Sequence, residues 1–366
     1  MLTLFSVRNY MGFPDVITWD LSHPRDYSFN THLIKDGVIK NGIIYGINGS
    51  GKTSLGKAVF DIVSLENSSN RVDYSKVVYQ GNPDALIDFE YKFQFEGIGT
   101  LVYFYSRNNQ GTLVNECLLY DDGVVFKKEG KSLMISDEFP VEEGMVGRLA
   151  DSSNSVSILK FLVASFPLSG EHYLIKLMSF IGSMLWFRCL DERNFIGIDS
   201  GTVRIEEYII KNNYVDDFAR FLLEESGQTF DFSPTDREDK NILCRIGDNI
   251  VPFLHVISTG TSSLELLFYW IKRMKESGVR FVFIDEFDAF YHFDLSINVC
   301  RTLFNEDFQV FMSSHNTMLL SNDLLRPDCA FEIRDRHIAA LSERTDRGEL
   351  RQGHNIEKMY RAGAFK

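Results

Sequence analysis

The chain has 366 residues, of which 44% are hydrophobic and 24% charged, with 31 Phe, 15 Tyr and a formal net charge of −13. These proportions are those of a soluble globular protein, and the length allows two or three domains around a large core rich in aromatic rings. The acidic balance argues against a surface that grips nucleic acid broadly through its phosphates, although a local basic groove is compatible with it.

From the N-terminus, Leu2, Leu4, Phe5 and Val7 suggest a first strand over 2–8. The stretch 8–13 then makes a turn, and Val16–Trp19 offers a hairpin partner. A polar, turn-rich stretch from Ser22 to Asp36 leads to Ile43-Ile44-Tyr45, read as a buried strand. Directly after it stands Gly46-x4-Gly51-Lys52-Thr53, followed from Ser54 to Val63 by apolar residues at helical spacing. Strand, glycine-rich turn and helix in that order fit the P-loop at every fixed position. Glycines let backbone N–H groups wrap phosphates without Cβ clashes, and the helix start adds unpaired N–H groups and a positive dipole end. Asn48, Gly49, Ser50, Gly51, Lys52, Thr53 and Ser54 are therefore the expected ATP-binding residues. Lys52 would reach the β- and γ-phosphates, and the Thr53 hydroxyl would ligate Mg²⁺.

After a loop over 66–70, the stretch 85–95 alternates through Ile87, Phe89, Tyr91, Phe93 and Phe95. With 100–106, 116–120 and 124–126 it predicts an antiparallel meander, turning at Asp121-Asp122-Gly123. The stretches 155–166, 171–188 and 203–225 read as helices, and 127–235 as an inserted, mainly helical lobe between head segments 1–126 and 236–366. Strands follow at 242–246 and 250–256, then a helix over 265–275 with Gly278 just past its end. Two further apolar strands end in Asp285-Glu286 and in Ser313-Ser314-His315.

Three apolar runs thus lead into the groups a phosphate site needs, and parallel strands would bring them out at one sheet edge. Asp285 is placed to hold Mg²⁺ with Thr53. Glu286 is placed to polarise the water that attacks the γ-phosphate, as the catalytic base. His315 would hydrogen-bond that phosphate or water as a second catalytic group.

Together these residues resemble an ABC-type ATPase head of the SMC/RecF/OLD branch. The resemblance rests on Arg8-Asn9-Tyr10-x-x-Phe13, the P-loop and the signature-like Ser258-Thr259-Gly260-Thr261. The Walker B run 281–286 and the switch-histidine run Ser313-Ser314-His315-Asn316 complete it. It covers 1–105 and 240–345 and implies an α/β P-loop NTPase: a mixed sheet core, an antiparallel β subdomain and the inserted helical lobe. It also implies a homodimer in which two heads sandwich two ATP molecules, Ser258 and Gly260 touching the partner's γ-phosphate. Ser-x-Gly before a helix is also, by its local chemistry, an anion-binding helix start, or simply an N-cap. No Q-loop is placed, with Gln80 and Gln94 as candidates. The loop after Glu286 resembles the OLD form, yet no Toprim-type acidic cluster follows His315. The final Tyr360-Arg361-Ala362-Gly363-Ala364-Phe365 resembles the tail of standalone AbiLi-like antiphage ATPases.

The resemblance implies a Mg²⁺-dependent ATPase acting as a dimeric switch in an abortive-infection defence system, controlling a separate effector such as a nuclease or toxin. The alternative is an SMC/RecF-like DNA-repair ATPase, opposed by the missing coiled-coil arms and the acidic charge. The Asp285-Glu286 pair argues against a module that binds nucleotide without hydrolysing it. A GTPase lacks its Asn-Lys-x-Asp motif here, and a small-molecule kinase leaves 258–261 and His315 unexplained. Five cysteines (Cys117, Cys189, Cys244, Cys300, Cys329), without metal-ligand spacing, fit reduced thiols. The first ten residues lack the features of a signal peptide, and the most apolar run, 177–187, is 11 residues, too short for a bilayer. A cytoplasmic protein without membrane segments is expected.

Overall fold

A computed structural model describes residues 1–65, 72–151, 156–189, 191–198, 204–236, 239–345 and 350–365. The loop expected at 66–70 lies outside the described residues.

The chain opens with the hairpin β1 (Leu2–Arg8) and β2 (Ile17–Asp20), then a small ribbon, β3 (Ile34–Lys35) and β4 (Val38–Ile39). Strand β5 (Asn41–Tyr45) runs into helix α1 (Lys52–Val59). After the short α2 (Tyr74–Val77) come β6 (Ile87–Phe95), β7 (Gly99–Arg107), β8 (Leu113–Tyr120), β9 (Gly123–Glu129) and β10 (Ser132–Ile135). Helices α3 (Glu143–Ala150), α4 (Ile158–Ser165) and α5 (Tyr173–Gly182) lead to β11 (Met184–Arg188) and β12 (Asp191–Gly197). Helices α6 (Ile205–Lys211) and α7 (Val215–Ser226) precede the hairpin β13 (Leu243–Ile246) and β14 (Asn249–Pro252). The chain then runs through α8 (Thr259–Ser277), β15 (Phe281–Asp285), α9 (Phe293–Phe304) and β16 (Gln309–Ser313). It closes with β17 (Ala330–Arg334), β18 (His337–Ala340) and α10 (Ile356–Arg361).

Two seven-stranded sheets result. One is antiparallel, in the order β10-β9-β8-β7-β6-β1-β2; the other is mixed, in the order β12-β11-β15-β16-β5-β17-β18. In the mixed sheet β11, β15, β16, β5 and β17 are parallel, and β12 and β18 are antiparallel edges. This is the mixed α/β head with an antiparallel subdomain expected from the sequence. Because the strands are parallel, Gly46, Asp285-Glu286, Ser313-Ser314-His315 and Arg188 leave the sheet at one edge.

Aromatic residues weld the layers. Along β6, Phe89, Tyr91, Phe93 and Phe95 point inward while Glu90, Lys92 and Gln94 face solvent, the two-residue period of a half-buried strand. Trp19 of β2 meets Phe283, Phe311 and Phe331 of three mixed-sheet strands edge-on at 4.6–6.5 Å. Helix α1 is wedged between the sheets. Tyr91 donates to the Ala58 carbonyl from one side, and Gly56 lets Phe283 and Trp186 approach from the other, where a Cβ would stand 2.8–2.9 Å from their rings.

Three expected elements differ in detail. The helix expected over 171–188 is α5 followed by β11: Ser183 ends the helix, its Oγ donating to the Phe180 carbonyl at 2.8 Å. The buried run Met184–Phe187 is then free to pair in the sheet, and an unbroken apolar run of this kind fits helix or buried strand equally well. The helix expected over 203–225 breaks at Asn213, whose backbone is left-handed (φ 57°); Val203 lies outside the described residues. The strand expected over 250–256 stops at Pro252, which has no N–H to donate, and a 3₁₀ turn follows. The stretch 127–235 therefore contributes two mixed-sheet strands, β11 and β12, and the antiparallel-sheet strand β10 as well as helices.

Candidate functional site

The glycines of the P-loop are where the backbone demands them. A Cβ on Gly46 would stand 2.4 Å from the Ser50 hydroxyl and 2.9 Å from the Ile333 carbonyl, and Gly49 is left-handed (φ 79°). Gly51 combines a positive φ of 107° with the Phe13 ring, which lies 2.6 Å from where its Cβ would be. Phe13, from the opening motif, is itself buried, so the start of the chain forms the floor of the loop.

Asn48 and Gly49 are exposed at the loop tip, and Ser50 Oγ is buried without a hydrogen-bond partner. Lys52 is buried and folds back over the loop, its Nζ donating to the Gly46 carbonyl at 2.7 Å and lying 3.4 Å from His315 Nδ1. Burial lowers the Lys52 pKa from its ordinary value, and Asp285 and Glu286 pull the other way. Ser54, in the first turn of α1, is half-buried. A cradle that only glycine can line, an unsatisfied hydroxyl and a buried ammonium together fit a polyphosphate.

Thr53 and Asp285, the two residues expected to hold Mg²⁺, meet in the structure. Thr53 Oγ1 donates to Asp285 Oδ2 at 2.8 Å, and Ser313 Oγ donates to Oδ1 at 2.6 Å. Asp285 is fully buried. An Mg²⁺ ion would be held by Thr53 and Asp285, and would supply charge neutralisation to the phosphates. Glu286 has a left-handed backbone (φ 51°), costing about 1–2 kcal/mol for a residue with a Cβ. Its N–H donates to Ser313 Oγ at 2.8 Å, so one serine fixes both acidic residues. The strain turns Glu286 off the strand, where its side chain meets Arg188: Nη2 to Oε2 is 2.7 Å, and Arg188 Nε is 3.8 Å from Asp285 Oδ2.

His315 is exposed beside the loop, and its pKa is lowered first by partial burial and then by Lys52. The neighbouring Ser314 Oγ donates to Asp288 Oδ2 at 2.8 Å, and burial raises the Asp288 carboxyl. Within the chain, the structure thus brings together Lys52, Thr53, Asp285, Glu286 and His315.

Ser258 and Gly260 stand apart from the P-loop. Ser258 caps α8, its Oγ accepting from the Thr261 N–H at 3.2 Å, and Gly260 packs under the Phe290 carbonyl, just past the Glu286 loop. Ser258 is exposed at that helix start. Neither Q-loop candidate reaches the site. Gln80 donates to the Ser75 and Val78 carbonyls of its own turn, and Gln94 accepts from Thr100 on the antiparallel sheet. The side chain that reaches the carboxylates from the strand beside β15 is Arg188, which the sequence reading missed. Its signal would have been a cation at the end of a buried apolar run, visible once 184–188 is read as a parallel strand.

The chain is similar to the SMC head domain from Thermotoga maritima, with a TM-score of 0.46 and 14% identity over 92% of this chain and 97% of that one. It is similar to the SMC head bound to the C-terminal winged-helix domain of ScpA (TM-score 0.48, 13% identity, 93% and 97% of the two chains). It is also similar to the recombination mediator RecF in the structure titled RecF-ATPrS (TM-score 0.41, 14% identity, 93% and 98%). No protein-family model and no curated protein matches the chain.

Proposed function

We propose that the protein is a Mg²⁺-dependent ATPase whose hydrolysis cycle opens and closes a head-to-head homodimer. The observation that carries this reading is the 2.8 Å contact between Thr53 Oγ1 and Asp285 Oδ2, with Glu286 directly after Asp285 and Lys52 directly before Thr53. A P-loop hydroxyl and a strand-end carboxylate meeting from residues so distant in sequence make a divalent-cation site beside a phosphate cradle. Glu286 acts as the base, His315 as a γ-phosphate-facing partner. Ser258, exposed at the start of α8, and the half-buried Gly260 complete the site of a second copy, since a helix start offers the open side of a triphosphate N–H groups and positive dipole.

The use of this cycle is a switch in antiphage defence, acting in the cytoplasm on a separately encoded effector. The segment 127–235 is the partner-facing lobe, and Leu223 on α7 is one of its exposed apolar side chains. The defence role rests on the resemblance of the 360–365 tail. Among the described residues no helix is long and apolar enough to cross a membrane, and no group of three or more His, Cys, Asp or Glu side chains could hold a further metal.

The test is ATP hydrolysis by the purified protein with Mg²⁺. Glu286→Gln should bind ATP and lose turnover by about 10²–10⁴, the usual worth of a general base. Lys52→Ala should lose binding. Wild-type turnover in Glu286→Gln would remove Glu286 as the base. For the defence role, phage plating compares cells carrying the gene alone, its operon, and the operon with Lys52→Ala. Full protection by the single gene would remove the effector, and protection undiminished by Lys52→Ala would remove the switch. DNA-stimulated turnover with no effect on phage would favour the DNA-repair reading.

A further inference from the structure

Nothing in the P-loop, Walker B or switch-histidine motifs calls for an arginine at the end of β11. The sheet puts one there. β11 pairs with β15 in parallel, with Arg188 directly opposite Asp285. Its guanidinium spans both acidic residues, 2.7 Å from Glu286 Oε2 and 3.8 Å from Asp285 Oδ2. Ser313 holds Asp285 Oδ1 at 2.6 Å, so Oδ2, which accepts from the metal-site partner Thr53 at 2.8 Å, is the oxygen left to a metal, and Arg188 Nε stands 3.8 Å from it. If Asp285 held a divalent cation, the Arg188 guanidinium would face a like charge and be repelled from the carboxylate. Glu286, paired with Arg188, has its charge neutralised and one oxygen occupied, which makes it a poor base in this arrangement. A guanidinium fork fits phosphate oxygens as well as carboxylates, so the triphosphate that brings the metal also brings a new partner for the arginine. Arg188 and Glu286 both keep solvent access, with 32% and 25% of their side chains exposed, so the exchange needs no unfolding.

We propose that Arg188 is a latch that responds to the γ-phosphate. In the paired arrangement it stands beside Asp285 Oδ2 and neutralises Glu286; in a second arrangement, with Mg²⁺ and ATP, it turns to the γ-phosphate and releases Glu286 to orient water. The inference rests on the ATPase reading given above and deepens it, since it makes the paired arrangement self-inhibited.

The experiment uses the full chain as wild type, Arg188→Ala and Arg188→Lys, with Lys52→Ala as control. Affinities for ATP and ADP with Mg²⁺ are measured by calorimetry, and Mn²⁺ binding without nucleotide by electron paramagnetic resonance. Arg188→Ala should bind ATP roughly tenfold more weakly, the worth of one charge-assisted hydrogen bond to phosphate, with ADP affinity unchanged. It should also bind Mn²⁺ more tightly than wild type, because the metal oxygen is uncovered. Arg188→Lys, which keeps the charge but not the fork, should fall between and serves if the alanine variant does not fold. Equal weakening of ATP and ADP, as a purely structural role for Arg188 requires, overturns the latch, as does unchanged Mn²⁺ binding. Wild-type protein that binds no ATP, or Lys52→Ala protein that binds it undiminished, overturns the ATPase reading itself. An Arg188→Ala variant that keeps the wild-type preference for ATP over ADP overturns the latch alone.

Discussion

Asp61 and Asp285 have nearly the same surroundings and opposite prospects. Each is buried, accepts from two hydroxyls and lies beside an arginine. Asp61 takes Tyr74 and Tyr105 at 2.9 and 2.8 Å with Arg107 at 3.3 Å; Asp285 takes Ser313 and Thr53 at 2.6 and 2.8 Å with Arg188 at 3.8 Å. The difference is what surrounds the arginine. Arg107 is held between the Tyr74 and Tyr105 rings, 5.1 and 5.4 Å from their centres, with Nη1 donating to the Gly111 carbonyl and Nη2 to the Ser64 hydroxyl. Arg188 has a second carboxylate, an open side and a neighbouring glycine loop. A sealed cluster has no hydrogen bond to exchange with a ligand, whereas one with a partly exposed cation and a surplus carboxylate does. Buried charge alone does not mark a site; a charge network left open on one side does.

The largest expected effect breaks this comparison directly. Asp61→Ala leaves Arg107 buried without its carboxylate, which should cost about 3–5 kcal/mol of stability. Turnover per folded molecule should stay at the wild-type level. Asp285→Asn should do the reverse, because Arg188 keeps Glu286 as its partner while the metal carboxylate is gone: turnover lost, denaturation midpoint close to wild type. Urea denaturation beside an ATPase assay reads both. If Asp61→Ala lowers turnover at full folding, the Asp61 cluster is not the sealed structural element described.

A smaller effect is expected at Gly51, against which the Phe13 ring packs. Alanine there meets the ring and keeps a strained φ of 107°. Gly51→Ala should cost about 1–3 kcal/mol, the range for forcing atoms into a packed site. ATP binding should weaken with it, since relief of the clash displaces the loop. Trimming the ring in a Gly51→Ala/Phe13→Leu protein should restore part of the stability, and no restoration would show that backbone strain alone sets the loss.

The sequence made the P-loop edge legible because each functional group there is announced locally: glycines at fixed spacing, a carboxylate pair ending an apolar strand, serines and a histidine ending another. The meander was legible for the same reason, since β6 alternates without exception from Phe89 to Phe95. What escaped was lateral. Arg188 earns its place only through pairing with a strand almost a hundred positions away, and nothing at 184–188 announces that partner. Asp61 escaped likewise: a helix-end aspartate reads as solvated until Tyr105 and Arg107 of β7 close over it. Strand β17, which lies between β5 and the edge strand β18 and whose Ile333 carbonyl closes on Gly46, and helix α9 carried no motif and were not anticipated.

The smallest effect concerns Ser258, which belongs to neither cluster. Within one chain it does what a cap does: its Oγ accepts from the Thr261 N–H at 3.2 Å and shares a 3.0 Å contact with the Thr261 hydroxyl, which in turn donates to Gln228. Losing that cap in Ser258→Ala should cost about 1 kcal/mol, read as a small shift in the denaturation midpoint. Nucleotide affinity of the monomer should not change, because no P-loop contact is lost. The proposed sandwich adds a second expectation, which the cap role does not. In Glu286→Gln protein, where ATP stays uncleaved, sedimentation should show an ATP-dependent dimer. Ser258→Ala should weaken that dimer modestly, and Ser258→Arg should abolish it by filling the space meant for the facing phosphate. A dimer that forms equally well with arginine at this position would leave Ser258 as a cap and nothing more. The two-copy site would then lack the surface it was built on.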